Sequence, residues 1–96
     1  LPDLVAGDKP GVLAEMVAKL VAGSKTMTRP DAVLQMLESR EALGSTAVGP
    51  GVAFPHGRTL AVQKLTVLCA RSKQGVDFDA ADGEPTHLFF VLIAPP

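Results

Sequence analysis

Apolar residues recur near the start of the chain at Val12, Leu13, Met16, Val17, Leu20 and Val21. That spacing (i, i+1, i+4, i+5, i+8, i+9) runs down one face of an α-helix and predicts a helix packed on a sheet. Asp8 has the side-chain acceptor of an N-cap, Pro10 fits a first turn, and Gly23-Ser24 should end the helix. A second helix is predicted with Thr28 as N-cap and Pro30 and Asp31 in its first turn. Val33, Leu34, Met36 and Leu37 form its apolar face, and it should end between residues 38 and 42. Arg40 then falls in its last turn. Ahead of both helices, Leu1 to Val5 alternates as an edge strand does.

The period shortens in the second half. Val52-Ala53-Phe54 is a brief apolar run, and Pro55 should end that strand, because proline fixes φ and drives the preceding residue to extended geometry. Leu65-Thr66-Val67-Leu68-Cys69-Ala70 has the β-branched and apolar content of a buried strand, with Cys69 as a small core residue. Arg71 to Gly75 reads as a polar turn, Val76-Asp77-Phe78 as a short extended piece and Asp79 to Pro85 as an acidic loop. Thr86 to Ile93 is almost wholly apolar, the pattern of a central strand buried on both faces. Helices followed by such strands imply an α/β fold: a mixed β-sheet flanked by α-helices.

Composition narrows the function more than the fold. A chain of 96 residues makes one domain, burying roughly 60–65% of its unfolded surface. With four Phe and no Trp or Tyr, its core must be aliphatic. A net charge of −1 and the lack of a basic stripe leave no footprint for nucleic acid. No apolar run reaches the roughly 18–20 residues of a membrane span, and no secretion signal opens the chain. The single Cys69 cannot close an internal disulfide, which fits a reducing, cytoplasmic setting. Asp77, Asp79, Asp82 and Glu84 do not have the spacing of a calcium loop and read as solvated. No metal motif or cofactor fingerprint is present.

The candidate chemistry sits at His56, placed by Pro55 at a strand tip and followed by Gly57. A neutral imidazole there is a poised nucleophile. Gly57 would let the following backbone N–H groups approach a ligand, and glycines at 44, 49 and 51 frame the run. The plainer reading of His56 is a solvated loop residue; that of Arg40 is a cation complementing the end of its helix. A Ser/His hydrolase is disfavoured, since no nucleophile elbow or partnering acid is visible.

Arg40, Gly44-Ser45-Thr46, Gly51, Pro55-His56-Gly57 and the proline-flanked strand Leu88 to Pro95 together resemble the enzyme IIA domains of the fructose/mannitol class of the bacterial sugar phosphotransferase system. That class includes the nitrogen-related stand-alone form, and the resemblance covers essentially the full chain. It implies the phosphotransferase/anion-transport-like α/β sandwich. It also implies that His56 accepts a phosphoryl group from the histidine phosphocarrier protein and passes it to a cysteine of an enzyme IIB domain. In the nitrogen-related reading, phospho-His56 instead switches contacts with a regulatory target protein. Arg40 would stabilise the phosphoryl oxygens, with Ser45, Thr46 and the backbone after Gly57 as further donors; the two hydroxyls are equally readable as turn formers. The family's second active-site histidine lies beyond the last strand, so the role does not pass to His87. Residues 1–96 are therefore expected to be a single, partial domain lacking C-terminal helices. One sheet face would be bare, and such a face favours self-association. Neither the sugar nor the choice between transport and regulation is legible.

Overall fold

The computed structural model describes residues 1–24 and 27–96. Helices α1 (Lys9–Gly23) and α2 (Pro30–Ala42) precede strands β1 (Val52–Ala53), β2 (His56–Arg58), β3 (Thr66–Val76) and β4 (Thr86–Ala94). In α1 the Asp8 carboxylate accepts from Gly11 N at 2.9 Å, satisfying one of the orphan donors of the first turn, and the predicted apolar stripe is buried from Val12 to Leu20. The helix stops before Ser24, as expected. α2 differs at its start. Its N-cap position is Arg29, with no side-chain cap, where Thr28 was expected. Pro30 is already the first helical residue and keeps the residue directly before it out of helical geometry, so Thr28 stands one place too early.

β1 and β2 both run parallel to β4, and in one register: Val52 faces Leu88 and His56 faces Leu92. They are one line of chain broken at Phe54-Pro55. Pro55 O accepts from Leu92 N at 3.0 Å, so this residue turns its backbone toward β4 yet has no N–H for the matching rung. Pro55 therefore interrupts the strand instead of ending it, at the cost of one ladder bond to β4. His56 is the first residue of the resumed strand, not the tip of a finished one.

β3 pairs antiparallel with β4 over the same stretch that β1 and β2 use, so β4 is central and mixed pairing results. β3 is longer than expected, running through the polar residues 71–75. A register shift between Arg71 and Val76 absorbs them: Gly75 takes φ 85 and its N–H donates to Ser72 Oγ at 3.1 Å. The N-terminal segment adds a single parallel bridge, Asp3 to Arg71, along the outer edge of β3. Arg71 Nε donates to the Asp3 carboxylate at 2.8 Å, and this bond with the guanidinium charge holds the Asp3 carboxyl below its usual range.

Alternation along β4 divides the sheet. Phe89, Val91 and Ile93 are fully buried beneath α1, which packs on β3, and α2, which packs on β2. Phe78 meets Phe89 edge-on at 5.2 Å in the same core. Leu88, Phe90 and Leu92 point the other way and are only half-buried. Phe54 stacks on Phe90 at 5.4 Å there, and Val67 stays 52% exposed. Burial of β4 on both faces is thus corrected to burial on one. Cys69, paired with Phe90 and half-buried, lies on the open face and not in the core.

Candidate functional site

The segment between α2 and β2 is built as a tight turn on a polar anchor. Val33, Leu37 and Glu41 fall at i, i+4 and i+8 on the buried side of α2, so a carboxylate occupies the end of an apolar stripe. Its charge is met from three directions. Lys9 Nζ lies 2.9 Å away, Thr46 N donates at 3.2 Å, and the Thr46 hydroxyl donates to the second oxygen. Lys9 also reaches Asp79 at 3.3 Å and sits 4.7 Å over the Phe78 ring. Ser45 Oγ donates to Phe78 O and accepts from Ala47 N. Both predicted hydroxyl donors, Ser45 and Thr46, thus give their protons to internal acceptors, the bonding expected of turn formers.

From Thr46 the order passes to the histidine. Ala47 bridges Ala53, and Val48 and Gly49 both donate to Val52 O across a turn. Gly49 at φ 61 and Gly51 at φ 75 supply left-handed geometry that side chains resist. Phe54 N donates to Thr46 O at 3.0 Å, and Phe54 O lies 2.7 Å from His56 Nδ1. A carbonyl only accepts, so in the neutral ring the proton is on Nδ1 and the lone pair on Nε2. The imidazole is exposed.

Arg40 lies half-buried in the last turn of α2, and its Nη1 donates to Gly44 O at 2.7 Å. The helix approaches β2 through Met36, which fills the space over Gly57, and Arg40 follows Met36 by one turn on the same side. Strand alternation sends the His56 side chain away from that helix, onto the open face with Leu92. Arg40 and His56 thus belong to touching elements but start from opposite faces of the edge strand. In this conformation the guanidinium is bonded to the Gly44 carbonyl. Gly57 carries a packing reason for its missing side chain, the close approach of Met36. His87 is half-buried, with Nδ1 2.9 Å from Ser72 O and its ring beside Gly75.

Two residues of this region escaped the sequence reading. Glu41 was visible as the next step of the Val33, Leu37 stripe, a charged residue where an apolar one is due. Arg58 becomes interesting only once the strand is seen to resume at His56, which puts both side chains on one face. Among the described residues no three His, Cys, Asp or Glu side chains converge as metal ligands, and no helix is long and apolar enough to cross a membrane.

Residues 1–96 match the family described as "Phosphoenolpyruvate-dependent sugar phosphotransferase system, EIIA 2". The chain is 43% identical over 95 residues to the nitrogen regulatory protein of Bradyrhizobium diazoefficiens, covering 99% of this chain and 61% of that one. It is 41% identical over 81 residues to the PTS system fructose-specific EIIA component of Haloferax volcanii, covering 84% and 53%. It therefore spans only part of the length of these relatives. Among solved structures, nitrogen regulatory protein IIA-Ntr from Neisseria meningitidis matches with a TM-score of 0.87 at 38% identity, covering 98% of this chain and 63% of that one. IIA mannitol from Escherichia coli matches with a TM-score of 0.79 at 27% identity, covering 97% and 66%. The mixed α/β fold is the one these two proteins share, and the chain belongs to the type 2 EIIA family of the phosphoenolpyruvate-dependent sugar phosphotransferase system.

Proposed function

We propose that this chain is a phosphoryl carrier that takes the group from the histidine phosphocarrier protein onto His56 and passes it to the cysteine of an enzyme IIB domain. The observation that carries this reading is the hydrogen bond between His56 Nδ1 and Phe54 O on an exposed ring. A bond of that kind fixes the tautomer and leaves Nε2 as the one nitrogen able to attack phosphorus from solvent. The Phe54 carbonyl is itself held by the Phe54 N to Thr46 O bond, so the nucleophile is oriented through backbone. After transfer, the Nδ1 proton on its carbonyl balances part of the phosphoryl charge. Arg40 would leave Gly44 O and turn its fork to the equatorial oxygens, where charge spreads in the transition state. Ser45 and Thr46 support the loop in this reading.

A second reading has its own support. The nitrogen regulatory protein of Bradyrhizobium diazoefficiens and IIA-Ntr of Neisseria meningitidis both match almost all of this chain. In a nitrogen-related role the same phospho-His56 would switch a protein contact, adding about −1.5 to −2 charges at one surface point. The test is shared up to its last step. Full-length protein incubated with phosphorylated histidine carrier should gain one acid-labile, base-stable phosphoryl group, located on His56 by mass spectrometry at neutral pH. His56→Ala should abolish it. Arg40→Ala should slow it by about 10²–10³, the usual cost of losing one transition-state donor. Onward transfer to an enzyme IIB cysteine favours the transport role, and its absence favours regulation. Label on His87, or undiminished label in His56→Ala, would overturn both.

A further inference from the structure

We propose that Arg58 is a second catalytic cation, binding the phosphoryl oxygens on the open face of the sheet while His56 Nε2 is joined to phosphorus. This rests on the reading of His56 as the acceptor and adds a residue to it. His56 and Arg58 occupy the first and last positions of β2, opposite Leu92 and Ala94 of β4. Residues two apart on a strand share a face and stand about 6.6 Å apart along it, a span that an arginine side chain covers. Both line one shallow groove of about 320 Å³ with Leu65, Leu92 and Ala94. Its floor is apolar, and a charge held over such a floor is screened less than one in open water.

Pairing elsewhere sharpens the choice. Arg29 is spent on Asp31, Arg71 on Asp3, and Arg40 on Gly44 O. Arg58 is exposed and enters no ion pair or hydrogen bond given for the described residues, so its five donors are unspent. It also needs no rearrangement to share the face of His56, whereas Arg40 rises from the helix on the covered side. In the transfer step the Nε2 lone pair forms the new P–N bond as the P–N bond of the donor breaks, its electron pair returning to the donor nitrogen. Nδ1 keeps its proton on Phe54 O. Arg58 remains protonated throughout and offers a planar fork to two of the three equatorial oxygens.

The experiment uses full-length protein, the variants Arg58→Gln and Arg58→Lys, and two donors: the phosphorylated histidine carrier and phosphoramidate, which has no docking surface. Arg58→Gln should slow labelling of His56 by both donors, roughly tenfold to a hundredfold, less than a buried donor would because solvent screens the site. Arg58→Lys should recover part of the rate. In ³¹P spectra the titration of the phosphoryl group on His56 should move to higher pH in Arg58→Gln, since the cation favours the dianion. A change of fold would show in the melting temperature and would not move that titration. Slowing with the carrier but not with phosphoramidate would overturn the proposal and make Arg58 a docking residue, as would an unmoved titration. Wild-type protein that takes no label from either donor would remove the acceptor role of His56, and Arg58 with it.

Discussion

Gly57 offers the sharpest test of how the site is built. A Cβ on Gly57 would lie 1.9 Å from Met36 Sδ, 3.1 Å from Cε and 3.2 Å from Cγ. In Gly57→Ala the thioether must swing away or α2 must back off from β2. Backbone strain is not involved, because Gly57 is outside the left-handed region. The penalty is therefore steric. Overpacking of this kind costs about 1–3 kcal/mol. Stiffening of the unfolded chain returns about 0.4–1 kcal/mol of that. At about 4–8 °C per kcal/mol for a domain of this size, the melting temperature should fall by roughly 5–15 °C.

Met36→Ala removes the obstacle. Alone it should cost about 1–2 kcal/mol, at or below the low end for a core methionine because the residue is half-buried. In the Met36→Ala background, however, the methyl of Gly57→Ala enters vacated space and should be neutral or stabilising. Urea unfolding of the four proteins closes the cycle, with an expected coupling of about 1–3 kcal/mol. Phosphoryl transfer should follow stability, since α2 carries Arg40 one turn beyond Met36. An equal cost of Gly57→Ala in both backgrounds would refute the packing argument. So would transfer that stays slow in the double variant while its stability recovers; Gly57 would then be clear for a ligand and not for a helix.

Lys9→Met removes the ammonium that sits over the Phe78 ring and beside Glu41, whose side chain is only 4% exposed. Leaving one partner of a buried pair uncompensated costs about 3–5 kcal/mol; with the two Thr46 donors retained, about 2–3 kcal/mol is expected in urea unfolding, and a loss below about 1 kcal/mol would mean that water reaches the carboxylate. In strong acid the Asp3 tether should fail. Its carboxyl titrates below the ordinary 3.8 when folded, so its contribution is complete above that value and disappears as pH falls through the lower, folded one. Protection of the Leu4 and Arg71 amides, which bond across that bridge, relative to the unfolded rate at the same pH should fall in acid, and Asp3→Asn should lose it already at neutral pH.

The fold was legible where period and punctuation agreed. The α1 stripe, its Asp8 cap and its Gly23-Ser24 end follow from local chemistry alone, and the structure keeps all three. Errors arose where a local rule met a tertiary partner. In residues 71–75 a register shift lifts Lys73 and Gln74 into water while Ser72 and Val76 on either side stay buried. Composition has no signal for that. The apolar run of β4 announced a central strand correctly, yet Leu88, Phe90 and Leu92 are as apolar as their buried neighbours. The residues of one strand cannot say how many layers cover it.

At the site, the same limit explains what the motif conveyed and what it withheld. Pro55-His56-Gly57 was read as an end, a nucleophile and an open approach. In the structure Pro55 interrupts the strand without ending it, His56 presents an exposed imidazole, and Met36 packs over Gly57. Proline still denies a rung to β4, but its carbonyl holds the register on the far side, so the chain resumes as a strand and the face of every later residue is set by alternation. That single continuation puts Gly57 under α2 and Arg58 beside His56. The role expected of Arg40 came from the family resemblance, whereas the shared face of Arg58 and His56 was hidden by the assumption that the strand had stopped. A proline on an edge strand is best read as a missing hydrogen bond, and the side chains beyond it should be counted as though it were absent.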